Sequence, residues 1–210
     1  MSTADTGTRP LPVIAIDGPA GSGKSTVSRA LATRLGVDRL DTGAMYRAVT
    51  WAVLDQAIEP SDWEAVAELA RGLDIEIGER VAVDGTDVTE AIRGAEVSGA
   101  VSLVAANPAV REVLVKRQRQ WMAERGGGVV EGRDIGSVVF PDADVKIYLT
   151  AADHERARRR PEEGSDALSR RDRLDSTRTA SPLGVADGAL VIDTTDRPVE
   201  DIVEQVVTWL

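Results

Sequence analysis

Cysteine is absent from the 210 residues, which excludes disulfides, thiolate metal sites and thiol nucleophiles together and predicts a reducing, cytoplasmic setting. The single histidine, His154, rules out a histidine-pair zinc site and leaves any Ser-His-Asp triad one residue to be built on. No apolar run approaches membrane-spanning length, so no membrane partner is expected. The opening STADTGTRPLP is polar, lacks the apolar stretch of a secretory signal, and reads as a loose tail over residues 1–11. Positive charge is outnumbered, with 25 Lys and Arg against 35 Asp and Glu. A net charge of -10 argues against a general nucleic-acid binder, which needs a basic face to neutralise phosphates. Internal repeats and low-complexity tracts are missing too.

What is present fits one soluble globular domain, since 42% hydrophobic residues can fill a core in a chain this long. Short apolar runs recur at residues 13–17, 128–131, 145–150 and 189–193, separated by helical patterns or loops. Near-continuous apolar runs suit parallel strands covered on both faces, so an α/β fold with a parallel sheet of about five strands flanked by helices is expected. From Lys24, apolar Val27, Ala30, Leu31 and Leu35 share one helical face up to a stop at Gly36. Asn107-Pro108 opens a second, long helix through Val110, Val113, Leu114 and Trp121.

Two segments break this rhythm. Residues 74–88 alternate Ile75, Ile77, Val81 and Val83 around an Asp84-Gly85 turn, which predicts a small antiparallel insert. Residues 156–178 hold eight arginines and Pro161 with little to form a core, and read as a mobile, solvent-facing flap. His154, just before it, reads as a helix-start or surface residue.

The most informative string is GPAGSGKS at residues 18–25, which meets G-x-x-x-x-G-K-[ST] between a predicted strand and a predicted helix. Backbone N–H groups of Gly18, Pro19's successor Ala20, Gly21, Ser22 and Gly23, continuing through Lys24, Ser25 and Thr26, are expected to cradle phosphates at the helix N-terminus. Lys24 would reach the β and γ phosphates and the Ser25 hydroxyl would ligate Mg²⁺. Glu131, ending the apolar Val129-Val130 run, is a candidate to hold that ion through water. A guanine-reading Asn-Lys-x-Asp is absent, which excludes a switch GTPase, and chain size favours a small kinase over a motor ATPase.

Together with IDGPAGSGKST, the strings LDTGAMYRA, VVEGRDIGSVVFPDADVKIYL, RRDRLDSTRTASPL and ALVIDTTD, in this order, resemble the bacterial cytidylate kinases over nearly the whole chain after the tail. The resemblance implies a monomeric P-loop enzyme that phosphorylates CMP and dCMP with ATP and Mg²⁺. It implies a single domain over 12–210, with a core of 12–43, 106–153 and 178–210, a nucleoside-monophosphate part at 44–105 and a lid at 154–177.

The same resemblance puts the CMP phosphate near Thr42, Arg47, Arg133 and Arg178, and cytosine against Ser102, Arg111 and Asp134, with Ser98 a competing neighbour of Ser102. Arg171 and Asp175 are implied to hold the sugar, with Arg171 and Arg178 also counted among the catalytic arginines alongside Lys24, Arg133 and Arg159. Arg156, Arg159 and Arg160 become lid arginines for the ATP phosphates, Arg158 less so, although only ten residues separate Arg160 from Arg171. Asp193 and Thr194 are implied near the adenine. Arginine suits phosphate because its planar fork donates paired hydrogen bonds. A carboxylate and a guanidinium together match the N4 donor and the N3 and O2 acceptors of cytosine. From the residues alone, Arg47 also reads as a solvated helix charge and Arg111–Asp134 as a structural ion pair. Another small P-loop kinase, or a nucleotide-gated binding protein, stays open as an alternative.

Overall fold

The computed structural model describes residues 11–161, 170, 172–176 and 183–210. Five parallel strands form the central sheet: β1 (Val13–Asp17), β2 (Arg39–Asp41), β6 (Gly128–Gly132), β7 (Val145–Thr150) and β8 (Leu190–Asp193), in the order β2-β6-β1-β7-β8. β1 lies in the middle, in register with β6 (Val13 opposite Gly128) and with β7 (Ile14 opposite Val145). The fold is thus the expected α/β sheet flanked by helices. The one central strand not foreseen is β2, three residues long and running directly into a helix.

Side chains alternate across the sheet with a period of two, and the two faces bury different helices. Ile14, Ile16, Val129, Val145, Ile147, Leu149 and Ile192 point to one face. There they meet Val27 and Leu31 of α1 (Lys24–Leu35) and Ile202, Val203 and Val206 of α7 (Val199–Val207). Ala15, Leu40 and Val130 point the other way. They pack in one core with α2 (Thr42–Asp55), α3 (Trp63–Gly72), α4 (Ala95–Ala106) and α5 (Pro108–Arg125).

Helix boundaries follow the local chemistry. Asp41 caps α2 by accepting from Ala44 N at 3.0 Å, and Asn107 caps α5 by accepting from Ala109 N at 3.0 Å, with Pro108 at the first helical position. α1 stops at Gly36, as its sequence requires.

The predicted insert is a three-stranded antiparallel sheet, β3 (Ile75–Ile77), β4 (Val81–Val83) and β5 (Thr86–Asp87), and Asp84 and Gly85 at its turn both have positive φ. His154 is exposed in the first turn of α6 (Asp153–Arg159), as expected. Among the described residues, no helix is long and apolar enough to cross a membrane.

Candidate active site

A cleft of about 670 Å³ opens at the C-terminal ends of β1, β2 and β6, where open parallel sheets place their ligands. Its floor is the loop from Gly18 to the start of α1. Gly18, at φ 148, has Leu149 O where a Cβ would stand, only 2.2 Å away. Gly21, at φ 75, is packed so closely on Arg156 that a Cβ would lie 2.9 Å from that residue's Cβ and carbonyl oxygen. A side chain at either place would push the loop out of its cradle shape.

Lys24 Nζ donates to Gly18 O and Pro19 O, at 2.8 Å each. The ammonium therefore lies over the loop, where an incoming phosphate oxygen can replace a carbonyl partner. Ser25, at the helix start, donates to Glu131 Oε2 at 3.0 Å. Glu131 Oε1 accepts from Ser28 at 2.9 Å and pairs with Arg39 at 2.6 Å. Burial, and next the Asp41 carboxylate, push the Glu131 carboxyl above its usual range, while Lys24 and Arg39 pull it back.

The second wall of the cleft carries most of the residues expected for an acceptor. Thr42, buried, donates to the Glu131 backbone carbonyl at 2.7 Å. Arg47 is 9% exposed, so it is not a solvated helix charge; it donates to Ile92 O at 2.9 Å and Ser98 Oγ at 2.8 Å. Ser98 is thereby engaged with Arg47, and it is Ser102 that lines the cleft. Arg111 of α5 and Asp134, just past β6, form a buried ion pair on the cleft wall, with the Arg111 guanidinium 5.7 Å from the Tyr46 ring centre. The structural ion pair and the cleft-facing position are thus both present.

Arg133 donates from Nη1 to Gly18 O at 2.8 Å and pairs through Nε with Asp175 Oδ2 at 3.1 Å. Arg159 and Arg160 line the cleft. Arg159 donates to Thr194 Oγ1 at 2.9 Å, Thr194 O at 2.8 Å and Glu155 Oε1 at 2.8 Å. Arg158 points away, 75% exposed and paired to Glu155. Its hydrogen bond to Glu155, with that of Arg159, holds the Glu155 carboxyl down at about 2.

The flap is not wholly solvent-facing. Arg156, at 8% exposure, and Asp175, at 1%, are buried, because ion pairs to Asp172 and Arg133 satisfy charges that composition alone assigned to water. Arg156 is not among the cleft-lining residues; it donates to Ala20 O at 3.1 Å. Arg171 and Arg178 lie outside the described residues. Thr194, 3% exposed, donates to Ser22 O at 3.0 Å, which places it against the phosphate loop, while Asp193 closes a turn on Thr195.

Four residues of this network were not singled out from sequence. Asp17 Oδ1 and Oδ2 accept from Ile135 N and Gly136 N, at 2.7 Å each, and so pin the loop that carries Asp134 to the end of β1. Its burial pushes the carboxyl up to about 6, against the lowering effect of those two N–H groups. Asp41, Arg39 and Asp172 are the others. An acidic residue ending a strand just before a phosphate loop was a usable signal for Asp17; nothing local marks Arg39 or Asp172.

The oxygen donors at Ser25 and Glu131 suit a hard cation such as Mg²⁺, which binds through one or two protein oxygens and takes the rest from phosphates and water. Among the described residues, no group of three or more His, Cys, Asp or Glu side chains is placed to hold a metal ion.

The cytidylate kinase family model matches residues 14–210. A cytidylate kinase from Caldanaerobacter subterraneus is 52% identical over 206 residues, covering 92% of each chain, and one from Bacillus subtilis is 48% identical over 210 residues, covering 92% of this chain and 93% of that one. A bifunctional pantoate ligase/cytidylate kinase from Synechococcus sp. is 50% identical over 92% of this chain, which spans 43% of that longer protein. Among solved structures, the shikimate kinase of Acinetobacter baumannii superposes with a TM-score of 0.51 at 16% identity, over 94% of this chain and 92% of that one. The protein TT1252 from Thermus thermophilus gives 0.54 at 17% identity, over 96% and 99%. These two share the fold.

Proposed function

Because the chain belongs to the cytidylate kinase family, we propose that it transfers the γ-phosphoryl group of ATP to CMP and dCMP, giving ADP and CDP or dCDP. The observation that carries this reading is that one cleft holds both the phosphate loop and the Arg111–Asp134 pair. The loop, with Lys24, suits the donor. On the opposite wall, Asp134 would accept from the cytosine N4 amino group while Arg111 donates to O2 or N3. Uracil would set its O4 against the Asp134 carboxylate, acceptor to acceptor.

In this reading the CMP phosphate lies among Thr42, Arg47 and Arg133, with Arg178 also assigned to the phosphate and Arg171 and Asp175 assigned to the sugar. Arg159 at the end of α6 and Arg160 just after it face the triphosphate, and Thr194 fixes Arg159 in place. The phosphate of CMP has a second pKa near 6 and is largely dianionic at neutral pH, so no general base is needed. One of its oxygens attacks the γ-phosphorus in line, and the bond to the ADP oxygen breaks with the electron pair leaving on ADP. Lys24 and the arginines offset the charge on the transferring group. Mg²⁺, held by Ser25 with Glu131 behind it, would supply further charge neutralisation when bound.

A coupled assay across CMP, dCMP, UMP, AMP and dTMP tests the reading. CMP and dCMP should be used at least tenfold better than the others. Equal use of UMP would overturn the assignment of Arg111 and Asp134 as the base reader.

A further inference from the structure

Asp172 lies on the helical stretch 172–176 and is only 17% exposed, although it belongs to an arginine-rich segment. Its carboxylate accepts from the backbone N–H of Ala20, inside the phosphate loop, at 3.3 Å. Its Oδ2 is ion-paired with Nη1 of Arg156, and its Oδ1 stands 3.7 Å from Nη1 of Arg133. One carboxylate is therefore held by a loop amide, by an arginine packed on the loop and by the arginine at the end of β6. Loop N–H groups and planar guanidinium forks are what a phosphoryl group is bound by.

We propose that Asp172 is an autoinhibitory anion: in the nucleotide-free protein it stands in for a phosphoryl oxygen set, and the donor's phosphates must displace it. This rests on the phosphate loop being the donor site. The contact has two consequences. It keeps Arg133 and Arg156 ordered and satisfied before the donor arrives, which lowers the cost of burying two guanidinium groups. It also lowers apparent affinity for the donor, because only the fraction of molecules with Asp172 withdrawn can accept phosphate.

Asp153 supplies an internal comparison. It also pairs with Arg156, at 2.9 Å, but is 92% exposed. Removing its charge changes the local potential without touching a loop amide, and so separates a general charge effect from displacement.

The test is calorimetric titration of the full chain with inorganic tripolyphosphate, without CMP, for wild type, Asp172→Asn, Asp172→Ala and Asp153→Asn. Both Asp172 variants should bind about three- to tenfold more tightly, and Asp153→Asn should stay within about twofold of wild type. The KM for ATP should fall in the Asp172 variants while kcat changes less. Unchanged or weaker tripolyphosphate binding in folded Asp172→Asn, or equal tightening in Asp153→Asn, would overturn the proposal. Tripolyphosphate needs no acceptor, so failure to phosphorylate CMP would count against the proposed function and leave this readout standing.

Discussion

Arg111 and Asp134 reach the cleft wall from different elements, the first turn of α5 and the residue after Arg133, and meet as an ion pair with 6% and 7% of their side chains exposed. Each charge is buried against the other, so neither can be removed alone without leaving its partner uncompensated. The pair can give up little to water and much to a base that offers matching groups.

Asp134→Ala is accordingly expected to act twice. Preference for CMP over UMP should fall on the order of ten- to a hundredfold in kcat/KM. The fold should also lose about 3 kcal/mol, since Arg111 is left buried and unpaired by its carboxylate. Kinetics with both nucleotides and a urea melt measure the two effects; a preference that survives unchanged would remove Asp134 from the base reader.

Lys24→Ala should lower kcat by on the order of a hundredfold or more. Gly18 O keeps its hydrogen bond from Arg133 and Pro19 is only half-buried, so the thermal midpoint should move little. A variant that keeps near-wild-type turnover would show that the ammonium does not stabilise the transferring group.

Asp17 predicts a pH dependence of stability. Its folded carboxyl is raised from 3.8 to about 6 by burial, so the native state holds the proton more tightly than the unfolded chain. Its protonated form favours folding: the contribution is full below about 3.8 and is lost as pH rises through about 6. Relative to Asp17→Asn, wild type should therefore gain about 1 kcal/mol between pH 7 and pH 5. Denaturant melts of both proteins across that window decide it, and a difference that is flat or grows toward pH 7 would contradict it.

Gly21→Ala should destabilise the protein by about 1–2 kcal/mol from the left-handed backbone alone, with more from the 2.9 Å approach to Arg156. Because the strain falls on the phosphate loop, the KM for ATP should rise more than that for CMP. Calorimetry and steady-state kinetics check the two parts; equal change in both KM values would place the damage elsewhere.

Much of the fold could be read along the chain because its signals are local. The apolar runs of β1 and β7, the Gly36 stop, the Asn107 cap and the Asp84-Gly85 turn each depend on residues within a few positions of one another. β2 escaped because three residues that pass straight into α2, through the capping Asp41, present no period to detect. The flap was only partly foreseen for the opposite reason: Arg156 looks solvated until Asp172 is brought against it, and Asp175 until it meets Arg133.

By itself, then, the sequence determined the phosphate loop, the parallel-sheet class and the family, because each is written in contiguous residues. Tertiary structure decided which charges face one another: that Arg47 is buried on Ser98, that Glu131 joins Ser25 to Arg39, and that Asp172 occupies the loop amide of Ala20. Those pairings join residues 51 to 152 positions apart, or strands adjacent only in the sheet, and their chemistry exists only once the sheet order has set them side by side.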